Sequence, residues 1–200
     1  DVLVNNAGAL FMSREESADG IEMTWALNHL GYFLLTHELL DVIKASAPAR
    51  IVSVSSDAHY GGQIPLDDLQ LREGYSGFKA YSQSKLANVH FTYELARRLA
   101  DTAVTVNCLH PGFVASNFAK NNGLLARIAM TLSRPFAKSK KEGAATSLYL
   151  AMSPEVAGVS GKYFADQKEK RSAGNTYDAN LSRELWVKSA QMVGVEPEPI

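Results

Sequence analysis

Hydrophobic residues follow two alternating rhythms along the chain, short apolar runs and longer helical stretches. The first run, Val2-Leu3-Val4, is short and β-branched and meets Asn5-Asn6-Ala7-Gly8, which predicts a strand buried on both faces and then a turn. Ser13 with Glu16 three residues on has the form of a capping box and predicts the start of a short helix. Over 24–45, Trp25, Leu27, Leu30, Phe33, Leu34, Leu40 and Ile43 surround most of a helical wheel, and Pro48 closes the segment. A helix apolar on nearly every side is expected to be buried on nearly every side. Residues 50–56 predict a second strand, 57–78 a polar loop, and 79–100 a long helix. A third strand follows at 104–109, stopped by His110-Pro111-Gly112, and then an apolar helical stretch at 115–132 broken by Asn121-Asn122-Gly123. A helix at 142–152, a fourth strand at 161–164 and a closing helix at 180–193 complete the pattern.

Strands alternating with helices predict βαβ units and an α/β fold on a parallel sheet. No repeat, low-complexity tract or linker interrupts residues 1–200, which read as one domain. Three polar clusters, Asn5-Asn6, Ser55-Ser56 and His110-Pro111-Gly112, each fall at the carboxyl end of a strand. Open α/β sheets bind ligands in the crevice there, so the site is located before any motif is named.

Composition narrows the function by exclusion. Lys+Arg 20 against Asp+Glu 21 gives a net charge of −1, which argues against nucleic acid or an anionic surface as the main partner. The most apolar stretch, 25–43, carries Asn28, His29, His37, Glu38 and Asp41, so no membrane span is expected in this segment; a cytoplasmic location is expected, with a membrane anchor upstream of Asp1 left open. A single cysteine, Cys108, allows no internal disulfide framework or Cys-based zinc site, and the five histidines show no metal-ligand spacing. No metal is expected.

The chemistry concentrates at Tyr81-Ser82-Gln83-Ser84-Lys85, where a phenol and an ammonium stand four residues apart on one helix face. An ammonium beside a phenol favours the phenolate, which would suit the tyrosine to acid/base work on an alcohol or carbonyl. A second pair, Tyr75 and Lys79, fits the same spacing but straddles Gly77 in the loop. Asp57 and His59 beside Ser56 invite a hydrolase reading. They crowd one loop, however, and no Gly-x-Ser-x-Gly elbow is present.

In order, Asn5-Asn6-Ala7-Gly8, Asn28-His29-Leu30-Gly31, Ser55-Ser56, Tyr81 with Lys85, and Pro111-Gly112-Phe113-Val114-Ala115-Ser116 resemble the short-chain dehydrogenase/reductase family. The finer texture, with Ser84-Lys85-Leu86-Ala87-Asn88 and Leu109-His110-Pro111-Gly112, is similar to its retinol-dehydrogenase-like branch. The resemblance implies a Rossmann-like doubly wound parallel sheet, here its C-terminal portion with four strands. It implies an NAD- or NADP-dependent oxidoreductase that interconverts an apolar alcohol and its aldehyde or ketone by hydride transfer. In that frame Tyr81 is the acid/base, Ser56 donates to the substrate oxygen, and Lys85 lowers the tyrosine's pKa and bonds the nicotinamide ribose. Asn28 holds a water in a relay ending at Lys85. Asn5, Ala7 and Gly8 line the adenosine side, and Pro111, Gly112, Val114 and Ser116 border the nicotinamide.

Three further expectations follow. The family's Thr-Gly-xxx-Gly-x-Gly phosphate loop is absent from the 200 residues, as is the residue that separates NAD from NADP. The chain is therefore expected to be the C-terminal part of a longer one, unable to bind dinucleotide and prone to aggregate alone. Phe113, Phe118, Leu124, Leu125, Ile128, Met130, Leu132 and Phe136 would form an apolar lid over the substrate. Helix 80–100 carries two apolar stripes, Leu86-Val89-Tyr93-Ala96 and Phe91-Leu95-Leu99, of which one would cover the sheet and the other a second copy in a homodimer. The competing reading is a catalytically silent relative used for binding or assembly, which would have had no reason to keep Asn28, Ser56, Tyr81 and Lys85 together.

Overall fold

A computed structural model describes residues 1–114 and 137–197. The stretch 115–132, most of the expected lid, and Ser116 lie outside the described residues. The chain runs through β1 (Val2–Asn5), then α1 (Met23–Trp25), a π turn (Ala26–Leu30) and α2 (Gly31–Ala45) in unbroken succession. Next come β2 (Ala49–Val54), a 3₁₀ turn (Asp57–Gly61), α3 (Gly77–Arg98) and β3 (Val104–His110). The described chain closes with α4 (Lys140–Met152), β4 (Lys162–Ala165), β5 (Lys168–Lys170) and α5 (Ala179–Val193), with short 3₁₀ turns before β4 and α5.

The five strands form one sheet in the order β1-β2-β3-β4-β5. The first four are parallel, and β5 returns antiparallel. In the centre, Ile51 and Val52 of β2 and Val106, Cys108 and Leu109 of β3 are all fully buried, as expected of strands covered on both faces. Arg50 reaches from β2 to the carbonyls of Leu150 (3.0 Å) and Ser153 (2.8 Å), satisfying groups that the end of α4 leaves unpaired. On the other face, Phe33 and Ile43 of α2, Phe91, Leu95 and Leu99 of α3, and Trp186 and Ala190 of α5 pack on Ile51 and Val106 in one core.

β1 is an edge strand, bonded on one side only by β2, with Val2 and Val4 48% and 41% exposed, the open apolar edge expected of these residues alone. Three expectations need correction. α2 is likewise exposed along Leu35, Leu39 and Val42, on a helix that contacts β1, and is not buried all round. Ser13 and Glu16 start no helix: Glu16 pairs with Arg14 (2.7 Å) and forms an isolated bridge with Glu22. The helix begins at Met23 because the buried carboxylate of Glu22 accepts from the Thr24 and Trp25 amides at 2.9 and 2.7 Å. β5 was not foreseen. Asp166 and Gln167 both take positive φ (50° and 60°), the geometry of a tight hairpin turn, and reverse the chain after β4.

Both stripes of α3 are covered inside the chain. Val89 and Tyr93 meet Cys108 and Tyr163 of the sheet, while Phe91, Leu95 and Leu99 meet α5. Trp186 of α5 stacks parallel on Phe91, ring centres 5.8 Å apart. The second stripe thus makes no demand for a second copy. Among the described residues, no helix is long and apolar enough to cross a membrane.

Candidate active site

The carboxyl ends of β1, β2 and β3 open into a cleft of about 820 Å³, bounded by the Asn6–Ala9 loop, Ser55 and Ser56, Tyr81 and Lys85, and the Pro111-Gly112 turn. Ser56 follows β2 and caps the 3₁₀ turn, its Oγ accepting from the Ala58 amide at 3.2 Å. That contact leaves the hydroxyl hydrogen to donate, and it bonds the Tyr81 side chain. Its neighbour Ser55 is structural: its amide donates to Leu109 O (2.7 Å) and its hydroxyl to Lys85 O (2.7 Å), tying β2 to β3 and α3.

α3 brings Tyr81 and Lys85 to one face, one turn apart. Lys85 is 3% exposed, donates to Val54 O at 3.0 Å, and lies 5.6 and 5.8 Å from the ring centres of Tyr32 and Tyr81. Burial pulls its pKa down to about 7. Burial also raises the Tyr81 phenol, an effect that the Ser56 hydrogen bond opposes. The expected lowering by Lys85 is therefore not what governs this phenol. The ammonium is turned to Val54 O, and desolvation dominates both groups.

Asn28 sits at the middle of the π turn, fully buried. Its Nδ2 donates to Ala9 O (2.9 Å) and Ser84 Oγ (3.0 Å), and its Oδ1 accepts from the Ala9 amide (2.9 Å). Its main-chain carbonyl accepts from Asn88 Nδ2 at 2.9 Å. Both amide hydrogens are committed, which fastens the loop after β1 to α3. Gly8 explains why that loop can lie so close. A Cβ there would stand 3.2 Å from Asn28 Oδ1 and 3.3 Å from Lys85 Nζ.

Ala7, Gly8, Pro111, Gly112 and Val114 all line the cleft. Asn5 does not: it is buried, its Nδ2 on Thr36 Oγ1 of α2 at 3.0 Å, and Asn6 takes the exposed place. Sequence reasoning missed the wall made by α4, where Lys140, Gly143, Ala144 and Ser147 face the cleft. The small pair Gly143-Ala144 was the available signal, since a Cβ at Gly143 would collide with the Val114 side chain. Tyr75 points elsewhere, donating to Phe11 O (2.8 Å) and Glu22 Oε1 (3.1 Å). The hydrolase alternative fails on geometry: His59 spends both ring nitrogens on main-chain groups, and the Asp57 carboxylate receives Tyr163 OH (2.9 Å) and His110 Nε2 (3.0 Å).

Gly8 and Gly112 line the cleft without side chains of their own, and the buried Lys85 side chain lines it too. The glycine-rich loop that would grip a pyrophosphate is not among these residues.

Residues 1–124 match the family model for short chain dehydrogenase. The chain is 50% identical over 198 residues to retinol dehydrogenase 14 of Mus musculus, covering 98% of this chain and 59% of that protein. It is 44% identical over 201 residues to human polyprenol dehydrogenase, covering 97% and 61%. It thus spans about three fifths of the length of these curated relatives. Of solved structures, a protein from Mycobacterium Paratuberculosis superposes with a TM-score of 0.77 at 32% identity, over 100% of this chain and 69% of that one. A short chain dehydrogenase from Burkholderia cenocepacia J2315 in complex with NADP shares the fold, with a TM-score of 0.57 at 23% identity over 82% and 62%. The motif order, the parallel sheet and the family match lead to one assignment: this chain belongs to the short chain dehydrogenase family.

Proposed function

We propose that the protein is an NAD(P)-dependent oxidoreductase that interconverts an apolar alcohol, retinoid- or polyprenol-like, and its carbonyl. The observation that carries this reading is the Ser56–Tyr81 hydroxyl pair at the mouth of the cleft, with the Lys85 ammonium buried behind it. A carbonyl oxygen placed between the two hydroxyls would receive a hydrogen bond from Ser56 and a proton from Tyr81. In the alcohol direction Tyr81 takes the proton back. When bound, the dinucleotide supplies or accepts the hydride. Gly8 and Lys85 on one side and Pro111, Gly112 and Val114 on the other would hold its nicotinamide and ribose. The names of the relatives support the apolar substrate class, as does a cleft edged by Phe11, Val54 and Val114.

The test is turnover of the full-length protein with NADH and NADPH against a panel of carbonyls. Tyr81→Phe is expected to cut kcat by about a thousandfold or more while dinucleotide affinity stays within twofold, because one proton donor is lost and little packing. Tyr75→Phe is expected to keep kcat. Near-normal turnover in Tyr81→Phe, or preference for short hydroxy acids over long-chain carbonyls, would overturn the reading.

A further inference from the structure

We propose that His59 and His110 are positioning residues for Ser56, two imidazoles that hold the two polar ends of the peptide bond joining Ser56 to Asp57. This rests on the assignment of Ser56 as donor to the substrate oxygen. The Ser56 carbonyl accepts from His59 Nδ1 at 2.7 Å, and the Asp57 amide donates to His110 Nδ1 at 3.1 Å. The two rings play opposite parts, and each is fixed in its part by its second nitrogen.

His59 must carry its hydrogen on Nδ1, since a carbonyl only accepts. Its Nε2 then accepts from the Ala173 amide at 3.1 Å. His110 must leave Nδ1 bare to accept from an amide, so its hydrogen sits on Nε2, which reaches Asp57 Oδ2 at 3.0 Å. The same carboxylate receives Tyr163 OH on Oδ1 at 2.9 Å. Burial disfavours the charged form of both imidazoles, in keeping with the neutral rings that these bonds need. His59 is fully buried and packs on Tyr60 and Tyr163, ring centres 4.0 and 4.8 Å away. One peptide plane is thereby fastened to β3 through His110, to β4 through Tyr163, and to the segment before α5 through Ala173.

The torsion that aims Ser56 Oγ starts from this plane. The hydroxyl has to meet both Tyr81 and the substrate oxygen, and a misplacement of about 1 Å at such a donor can cost on the order of a hundredfold in rate. Neither histidine lines the cleft. Their bonds bear on the cleft through Ser56.

That last point makes the proposal testable by a double-mutant cycle in the full-length protein. His110→Leu is expected to lower kcat about tenfold with the dinucleotide KM within twofold, and to cost nothing further in a Ser56→Ala background. His110→Asn, whose Oδ1 can accept from the Asp57 amide, is expected to recover most of the loss. His59→Leu should behave as His110→Leu does, and where it fails to fold the His110 cycle decides. Equal losses in both backgrounds, or an unchanged kcat, would overturn the clamp. Full turnover in Ser56→Ala would instead overturn the assignment of Ser56. Amide exchange followed by NMR gives a readout independent of turnover. The Asp57 amide should exchange at least about tenfold faster in His110→Leu with Val52 and Val54 unchanged, and an unaltered Asp57 rate also sinks the proposal.

Discussion

The side-chain amide of Asn28 exchanges two hydrogen bonds with Ala9, donating to its carbonyl and accepting from its amide, as one strand residue does with another. Removing it strips the side-chain bonds from the Ala9 amide and carbonyl and one contact from Ser84 Oγ, which still donates to Tyr81 O. Asn28→Leu is therefore expected to destabilise the protein by roughly 1–3 kcal/mol, read as a lower urea midpoint, and to loosen the Gly8 loop over Lys85. An unchanged midpoint would mean that the loop is held by other contacts. At this scale the sequence was informative where the chemistry was local. Tyr81 and Lys85 share a face by helical spacing alone, and the pair is legible without a fold. Asn5 and Asn6 were not separable, because which of two neighbours in a strand faces the cleft depends on the pleat and on what packs against it. Here Thr36, thirty-one residues away in sequence, draws Asn5 inward. The electrostatics were equally hidden: spacing showed an ammonium near a phenol, while burial decides the pKa of each.

Elements were legible by period and misjudged at their partners. The strands 49–54 and 104–110 and the long α3 follow from apolar runs and helical spacing. The partner of α3's second stripe did not, because α5 lies some ninety residues further along and brings only Trp186, Ala190 and a few neighbours to the contact. Trp186 is the centre of it, against Phe33 (4.6 Å between rings) and Phe91, with the Arg98 guanidinium 4.5 Å from its ring centre. Trp186→Ala is expected to cost about 3–5 kcal/mol, and the uncovered stripe should then bind a hydrophobic dye or self-associate. A variant that melts within a degree or two of the parent would show that α5 is dispensable cover. The helix start was misread for a related reason. Ser13 and Glu16 have the right spacing for a cap, but no apolar face follows them, whereas Glu22 caps a helix that packing requires.

The molecule as a whole is sensitive to acid through groups remote from the cleft. His29 and His90 are buried between the π turn, α3 and α5, each bonded to a serine of α5, Ser189 at 2.9 Å and Ser182 at 2.8 Å. Burial holds them down to about 3 and about 4 in the folded state, against 6.5 for an open histidine. The unfolded chain thus takes up protons first. The stability they contribute is whole above pH 6.5 and is lost as pH falls from there toward 4. Each should contribute a slope of about 1.4 kcal/mol per pH unit in that window. Urea midpoints measured from pH 7 to 4.5 should fall accordingly, and His90→Gln should make the slope shallower. A flat profile would mean that both rings are charged in the fold. The π turn at Ala26–Leu30 bears on both the core and the cleft. A π turn amounts to one residue inserted into a helical lattice, and one residue is about 100° of rotation. The residues before and after it are therefore written in two phases. Asn28 lies on this seam between the phases. Deleting any one residue of the turn would leave a smoother helix, but a helix that could no longer aim Asn28 at Ala9 and Phe33 at the core together.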